Sequence, residues 1–480
     1  MNKIEALKPE NVFKFFEEIC AIPHGSGNMD RISEYCVQFA KKNNLRYVCD
    51  EAKNVVIYKD GSKGYENSEP IILQGHIDMV CQKTEDCDID FEKDGLDVYF
   101  EDGFLKAKGT TLGADNAIAV AMIMAILESG EISHPPIEAV FTTDEEIGMI
   151  GATKLDFSLL KSKRMINIDS EEKNVVTVSC AGGSEVKITA QITRKIVEKT
   201  EVTLKIEDLK GGHSGVEIHK GRVNANILAG RILMKLKEKV DFDIIEVSGG
   251  DKSNAIPVLF KATLAVEDKE SFVNAAEECY RVIKKEIKAR EDDASIRIHY
   301  GEKSELEAFS DCDTQRIIDM LVLTPNGVID MSAEIENLVE TSLNLGILKT
   351  EGNTVIMQYA LRSNKKTALD YLEDRMIAFA RNFNCESSIF GRYEPWEYKE
   401  DSYLRELYAQ CYENKFFEKP VVEAIHAGLE CAVFSGEIEG IDCISIGPDM
   451  FDVHTVKERL DVESVKSVFE VLCDTLAKCK

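Results

Sequence analysis

The stretch Leu73–Val80, reading LQGHIDMV, places His76 and Asp78 two apart where an apolar run ends. Residues two apart on an extended chain point to one side, so Asp78 can accept one imidazole N–H and orient the other nitrogen toward a ligand. The plainer alternative is a local surface hydrogen bond. Four more sites follow strand-like runs: Asp115 in TLGADNA, Glu145 and Glu146 in TTDEEIG, Asp169 in NIDSEE and His454 in DMFDVHT. Each has its own modest reading: a helix N-cap for Asp115, a solvated helix start for the glutamates, a turn for Asp169, a helix entry before the capping-box spacing Thr455 to Glu458 for His454. Together they are imidazoles and carboxylates positioned beyond strand ends, where ligands of open α/β sheets gather. Such donors suit zinc, manganese or cobalt, and a pair of these ions needs a bridging carboxylate. At the end of an extended strand Glu145 and Glu146 turn different ways, so one can take metal while the other addresses a water.

Other chemistries lack their residues. HGSGNMD offers Gly25 and Gly27 but Asp30 where a dinucleotide fingerprint needs a small residue, and no strand leads into it. GHSGV is not a serine-hydrolase elbow, because Ser214 is followed directly by Gly215. No Walker motif or H-E-x-x-H occurs. Farther along, His213 lies among glycines in LKGGHSGVEI, where it could donate to an oxyanion or simply sit in a flexible turn. Asn254 in GGDKSNAIP and Arg362 in MQYALRSN close strand-like runs, and a guanidinium there could grip a carboxylate bidentately.

The elements that must position these groups alternate. Helical spacing over PENVFKFFEEICAI and MDRISEYCVQFAKKNN is followed by the strands NVVIYK, PIILQG, IEAVFTTD and RMINID, with the apolar helix NAIAVAMIMAILES between the second and third. This predicts an α/β sheet. From Ser184 the texture becomes α+β in two similar halves, roughly 184–300 and 301–395. Helix, strand and helix then resume in DSYLRELYAQCYENK, DCISIGPD and ESVKSVFEVLCDTLAKC. The expected organisation is therefore a discontinuous first domain, 1–183 and 396–480, interrupted by an inserted domain, 184–395.

Composition narrows the partners. A chain of 480 residues with 58 Lys plus Arg against 86 Asp plus Glu carries a formal charge of −28, which disfavours nucleic acid and anionic membranes. No stretch is apolar enough for a span and the N-terminus lacks an export signal, so a cytoplasmic protein is expected. The 14 cysteines are scattered without C-x-x-C spacing, consistent with reduced thiols.

Read in order, GHIDMV, TLGADNAIAVA, TTDEEIGMIGA, NIDSEE, GGHSGVEI, RVNAN, SNAIP and DVHT resemble the M20 metallopeptidase family, most of all its aminoacyl-histidine dipeptidases. The resemblance runs from about residue 10 to 475. It implies a two-zinc catalytic domain with an inserted lid and hydrolysis of short dipeptides, including Xaa-His and β-alanyl-histidine types. Co2+ or Mn2+ are substitutes it allows. By motif it implies that His76 and Asp169 hold one ion, Glu146 and His454 the other, and Asp115 both. Asp78 would orient His76, Glu145 would be the general base, and His213 would bind the oxyanion. Asn254 and Arg362 would contact the substrate backbone and carboxylate. Hydrolysis of N-acyl amino acids by the same centre, or peptide binding without catalysis, are the competing readings. The doubled insertion leaves open whether one chain completes its own site or a homodimer is needed.

Overall fold

The computed structural model describes residues 3–480. The chain forms two compact units, one of residues up to 180 with 396–424 and 429–480, the other of residues 181–395 with 425–428. The second unit therefore starts three residues before the expected boundary and regains four residues after the first has resumed.

The first unit is built on an eight-stranded sheet in the order Arg46–Cys49, Val55–Lys59, Ile137–Thr142, Ile71–His76, Arg164–Asn167, Asp442–Ser445, Val175–Cys180, Val421–Ile425. The strands Ile137–Thr142, Ile71–His76, Arg164–Asn167 and Asp442–Ser445 are mutually parallel. Ile71–His76 and Ile137–Thr142 are buried along their whole length, which explains why their mostly apolar sequences, broken only by Gln74, His76, Glu138 and Thr142, do not alternate between an apolar and a solvated face. The helix Ala114–Glu128 is apolar all round because every residue from Ala117 to Leu127 is at most 3% exposed. Each such Ile, Leu, Met or Val contributes about 1.5–3 kcal/mol through burial. Gly75 lets this helix approach: a Cβ there would lie 2.5 Å from Asn116 Oδ1 and 2.8 Å from Ala119 Cβ. A small four-stranded sheet pairs Met450–Phe451 with Arg459–Asp461, and the latter with Phe104–Ala107 and Val98–Glu101.

The second unit has a sheet in the order Ser295–Phe309, Arg194–Glu207, Phe260–Val266, Phe242–Gly249, Val339–Glu351, Thr354–Ser363, Gly182–Gln191, Glu386–Tyr393. A ninth strand, Gly327–Met331, pairs with Val339–Glu351 off this path. Without it, reading inward from either edge, each half has its fourth, first, third and second strand, with helices after the first and third. The halves meet at the antiparallel pair of Phe242–Gly249 with Val339–Glu351. The repeat is not sequential, however. Gly182–Gln191, expected in the earlier half, is the first strand of the later one, so the earlier half is inserted after it. Helices Ala225–Lys237, Lys269–Ile287 and Asp311–Leu323 are capped by the side chains of Asn224, Asp268 and Ser310. Their apolar faces, with Leu233, Phe272 and Ile317, join strand residues such as Val202 and Leu264 in one core. Among the described residues no helix is long and apolar enough to cross a membrane, and all 14 cysteines are free.

Candidate metal centre and second-unit cluster

Parallel strands end on one edge, and the loops beyond that edge bring the sequence's scattered acids and histidines together. His76 ends its strand, Glu145 and Glu146 follow Ile137–Thr142, and Asp169 follows Arg164–Asn167. Asp115 lies in the first turn of Ala114–Glu128 with non-helical φ −80° and ψ 101°, and Gly113 is the N-cap. The cap reading of Asp115 therefore fails, and its carboxylate is used elsewhere. Oδ1 lies 3.1 Å from His76 Nε2, and Oδ2 lies 3.1 Å from His454 Nε2. The two oxygens face two different imidazoles, as a bridging carboxylate must. His454 Nε2 is also 2.9 Å from Glu146 Oε1, and His76 Nε2 is 3.6 Å from Asp169 Oδ1.

His454 is not at a helix entry. It sits in the turn joining Met450–Phe451 to Arg459–Asp461, in the left-handed region at φ 65°, and the next helix starts only at Val462, capped by Asp461. The capping-box expectation fails with it. Glu458 instead reaches a loop 346 residues away, where Oε2 accepts from Leu112 N (2.9 Å) and Gly113 N (3.2 Å) and Oε1 from Ala114 N (2.8 Å). It thereby fixes the entry to Asp115.

Asp78 is 1% exposed, which removes the surface-hydrogen-bond alternative. His76 Nδ1 is nearer to its backbone oxygen, 3.1 Å, than to its carboxylate, 3.4 Å. The carboxylate mainly holds the glutamate turn. Oδ1 accepts from Glu145 N (3.0 Å), and Oδ2 from Glu146 N (3.2 Å) and Ser26 Oγ (2.8 Å). Asn116 Nδ2 donates to Asp169 Oδ1 at 2.7 Å and to Ile168 O at 2.6 Å. Sequence reasoning passed over Ser26, Asn116 and Glu430, and took Glu458 only for a capping-box partner of Thr455. Glu430 is wholly buried, its Oε2 accepting from Thr142 Oγ1 at 2.7 Å and from Gln74 Nε2, while Oε1 has no hydrogen-bond partner among the described residues.

The electrostatics ask for a cation. Burial pushes Asp169, Glu171, Glu430 and Glu458 up to about 7 and raises Glu145 well above the carboxylate range. Hydrogen bonds to Asp115 and Glu146 carry His454 up to about 11. His76 is also raised, by Asp169, Asp115 and Asp78, against its own burial. Acids this crowded and buried need positive charge beside them, the role divalent ions fill at such donors. His76, Asp115 and Glu146 offer ligand atoms all within 4.8 Å of one another. The donor set fits one or two divalent ions.

The second unit holds the other expected residues. His213 is not in a free turn: Gly212–His213 pairs with Ala255–Ile256, and Ser214 N donates to Asn254 O at 2.9 Å. His213 and Asn254 line a cavity of about 900 Å³. Gly215 N and Val216 N both donate to His213 Nδ1, at 3.1 and 3.2 Å. Nδ1 is therefore the acceptor and the proton is on Nε2. Burial and then Arg362 lower this imidazole, which keeps it a neutral donor. Arg362 Nη1 donates to Tyr393 Oη at 3.1 Å, and its buried Nε has no hydrogen-bond partner among the described residues.

Residues 72–478 match the model of peptidase family M20/M25/M40. The chain belongs to this family. It is accordingly a hydrolase and a metallopeptidase. The M20 chain is 36% identical, over 99% of both sequences, to a cytosol non-specific dipeptidase of Escherichia coli. It superposes on an aminoacylhistidine dipeptidase of Vibrio alginolyticus with TM-score 0.91 and 35% identity, covering 99% of this chain and 98% of that one. The fold extends to an aminopeptidase PepT of Bacillus cereus, TM-score 0.57 at 14% identity, with 98% and 99% of the chains covered.

Proposed function

We propose that this protein is a zinc-dependent dipeptidase acting on short dipeptides, Xaa-His and β-alanyl-histidine types among them. The observation that carries the reading is Asp115, whose two oxygens face His76 and His454 while Glu145 stands beside Glu146. His76 and Asp169 would hold one ion, Glu146 and His454 the other, and Asp115 both. Bound there, such ions supply Lewis acidity, which lowers the pKa of a water and stabilises charge developing on a carbonyl oxygen.

The chain's own groups supply the rest. Glu145 takes the proton of the attacking water and returns it to the leaving amine. Its burial favours the protonated form that this relay passes through. Asp78 holds the backbone of Glu145 and Glu146, so base and ligand are placed by one carboxylate. His213 would donate its Nε2–H to the oxyanion, a contribution worth about 2.7–4 kcal/mol. Asn254 would bind the substrate backbone and Arg362 its terminal carboxylate, which restricts the reaction to short chains with that end free.

A panel of alanyl-histidine, carnosine and an N-acetyl amino acid tests the reading on zinc-loaded protein. Turnover of the dipeptides is expected. Hydrolysis of the acetylated compound alone would replace the dipeptidase with a deacylase, and no turnover of any amide would leave a binder.

A further inference from the structure

The four residues 425–428 cluster with the second unit although they follow Pro395 by thirty positions. They carry His426, which is 5% exposed. Its Nδ1 lies 3.1 Å from Asn364 Oδ1 and its Nε2 2.7 Å from Ser342 Oγ. The amide oxygen can only accept, so Nδ1 bears the proton and Nε2 accepts the serine hydroxyl. Asn364 also binds the segment itself, donating from Nδ2 to Ile425 O at 3.2 Å. A serine, histidine and amide in a row have the order of a nucleophilic triad. Ser342 is 1% exposed, however, and no substrate reaches it.

The row instead lies beside two of the groups assigned to the substrate, Arg362 and His213. Ser342 and Arg362 are direct partners across paired strands. At Gly215 three groups converge: a Cβ there would lie 2.6 Å from His426 O, 2.9 Å from His213 Cε1 and 3.0 Å from Arg362 Nε. Gly215 N also donates to His213 Nδ1. The backbone of His426 therefore bears on the residue that holds the His213 ring beside the guanidinium. Burial, then Arg362 and His213, push His426 down to about 3, so no second cation competes with Arg362.

We propose that His426 is a positioning residue for substrate-carboxylate recognition: clamped between Asn364 and Ser342, it seats Gly215 against Arg362 and so fixes the guanidinium relative to His213. This rests on the reading of Arg362 and His213 given above. The test is a double-mutant cycle in the zinc-loaded, full-length enzyme with alanyl-histidine as substrate. R362A is expected to raise KM by about 100-fold and H426A by about 10-fold, with kcat falling less in H426A than KM rises. In the R362A background H426A should add less than about 2-fold, because its effect passes through the arginine. S342A removes one hydrogen bond without opening a cavity, and should shift KM about 3-fold in the same direction. An unchanged KM in both H426A and S342A would overturn the proposal. So would an H426A effect that is equally large with and without Arg362, the mark of a merely structural role. If H426A does not fold, S342A in the two backgrounds decides by the same criteria. An unchanged KM in R362A would instead sink the carboxylate reading beneath it.

Discussion

Glu145 and Glu146 are neighbours whose backbone N–H groups are both held by Asp78, yet only Glu146 reaches an imidazole of the cluster. That division gives one ligand and one base. E145Q, which keeps shape but removes the base, is expected to lower kcat by at least about 100-fold while metal content measured by elemental analysis stays at the parent level. Parental kcat would remove Glu145 from the mechanism. Glu458 acts at one remove, satisfying three backbone N–H groups ahead of Asp115. E458A should cost about 1–3 kcal/mol in denaturant unfolding, with weaker metal affinity. At this scale His76, Glu145, Glu146 and Asp169 were legible because each ends or follows a parallel strand of one sheet, whereas Asp115 opens a helix and His454 lies in a hairpin turn of the small sheet. Glu458, Glu430 and His426 were not, since their partners lie 346, 356 and 62 residues away and no local spacing marks such contacts.

Elements were legible where burial is uniform or strictly one-sided. PIILQG and IEAVFTTD read as strands, and NAIAVAMIMAILES as a helix buried on most sides, because the side-chain environment is the same along each whole run. Two things misled. Thr455 and Glu458 have capping-box spacing, but the chain there is a hairpin turn, and Glu458 is spent on a distant loop. Gly182–Gln191 precedes its own half of the doubled sheet, and strand order within a sheet is a matter of tertiary pairing that local pattern does not encode. The second unit also carries a pH prediction. The usual value for His426 is 6.5, and burial lowers it in the folded chain to about 3. The folded state therefore binds fewer protons than the unfolded one between those values. Its contribution to stability is full above pH 6.5 and declines toward pH 3, by about 1.4 kcal/mol per pH unit. H426Q should flatten this decline in chemical unfolding followed at pH 4 to 7. An unaltered slope would show that His426 does not titrate across folding.

Over the whole molecule the charge of −28 attracts cations, metal ions included, and repels anionic peptides. At low ionic strength kcat/KM for an aspartyl or glutamyl dipeptide should fall well below that for a lysyl one. The gap should narrow as salt shortens the Debye length from about 30 Å at 0.01 M to about 3 Å at 1 M. A salt-independent ratio would place the preference in local pocket contacts. The acidic balance and the absence of a dinucleotide or nucleophile motif were plain in composition and sequence.

Metal binding by D115N is the most direct test of the centre, because among the described residues Asp115 alone faces both histidines. Titration of chelator-stripped protein with Zn2+ should show two tight sites per chain in the parent. In D115N, at least one should be lost or weakened by more than about 10-fold, with kcat falling in parallel. Two tight sites and full turnover in D115N would contradict a shared, carboxylate-bridged metal centre.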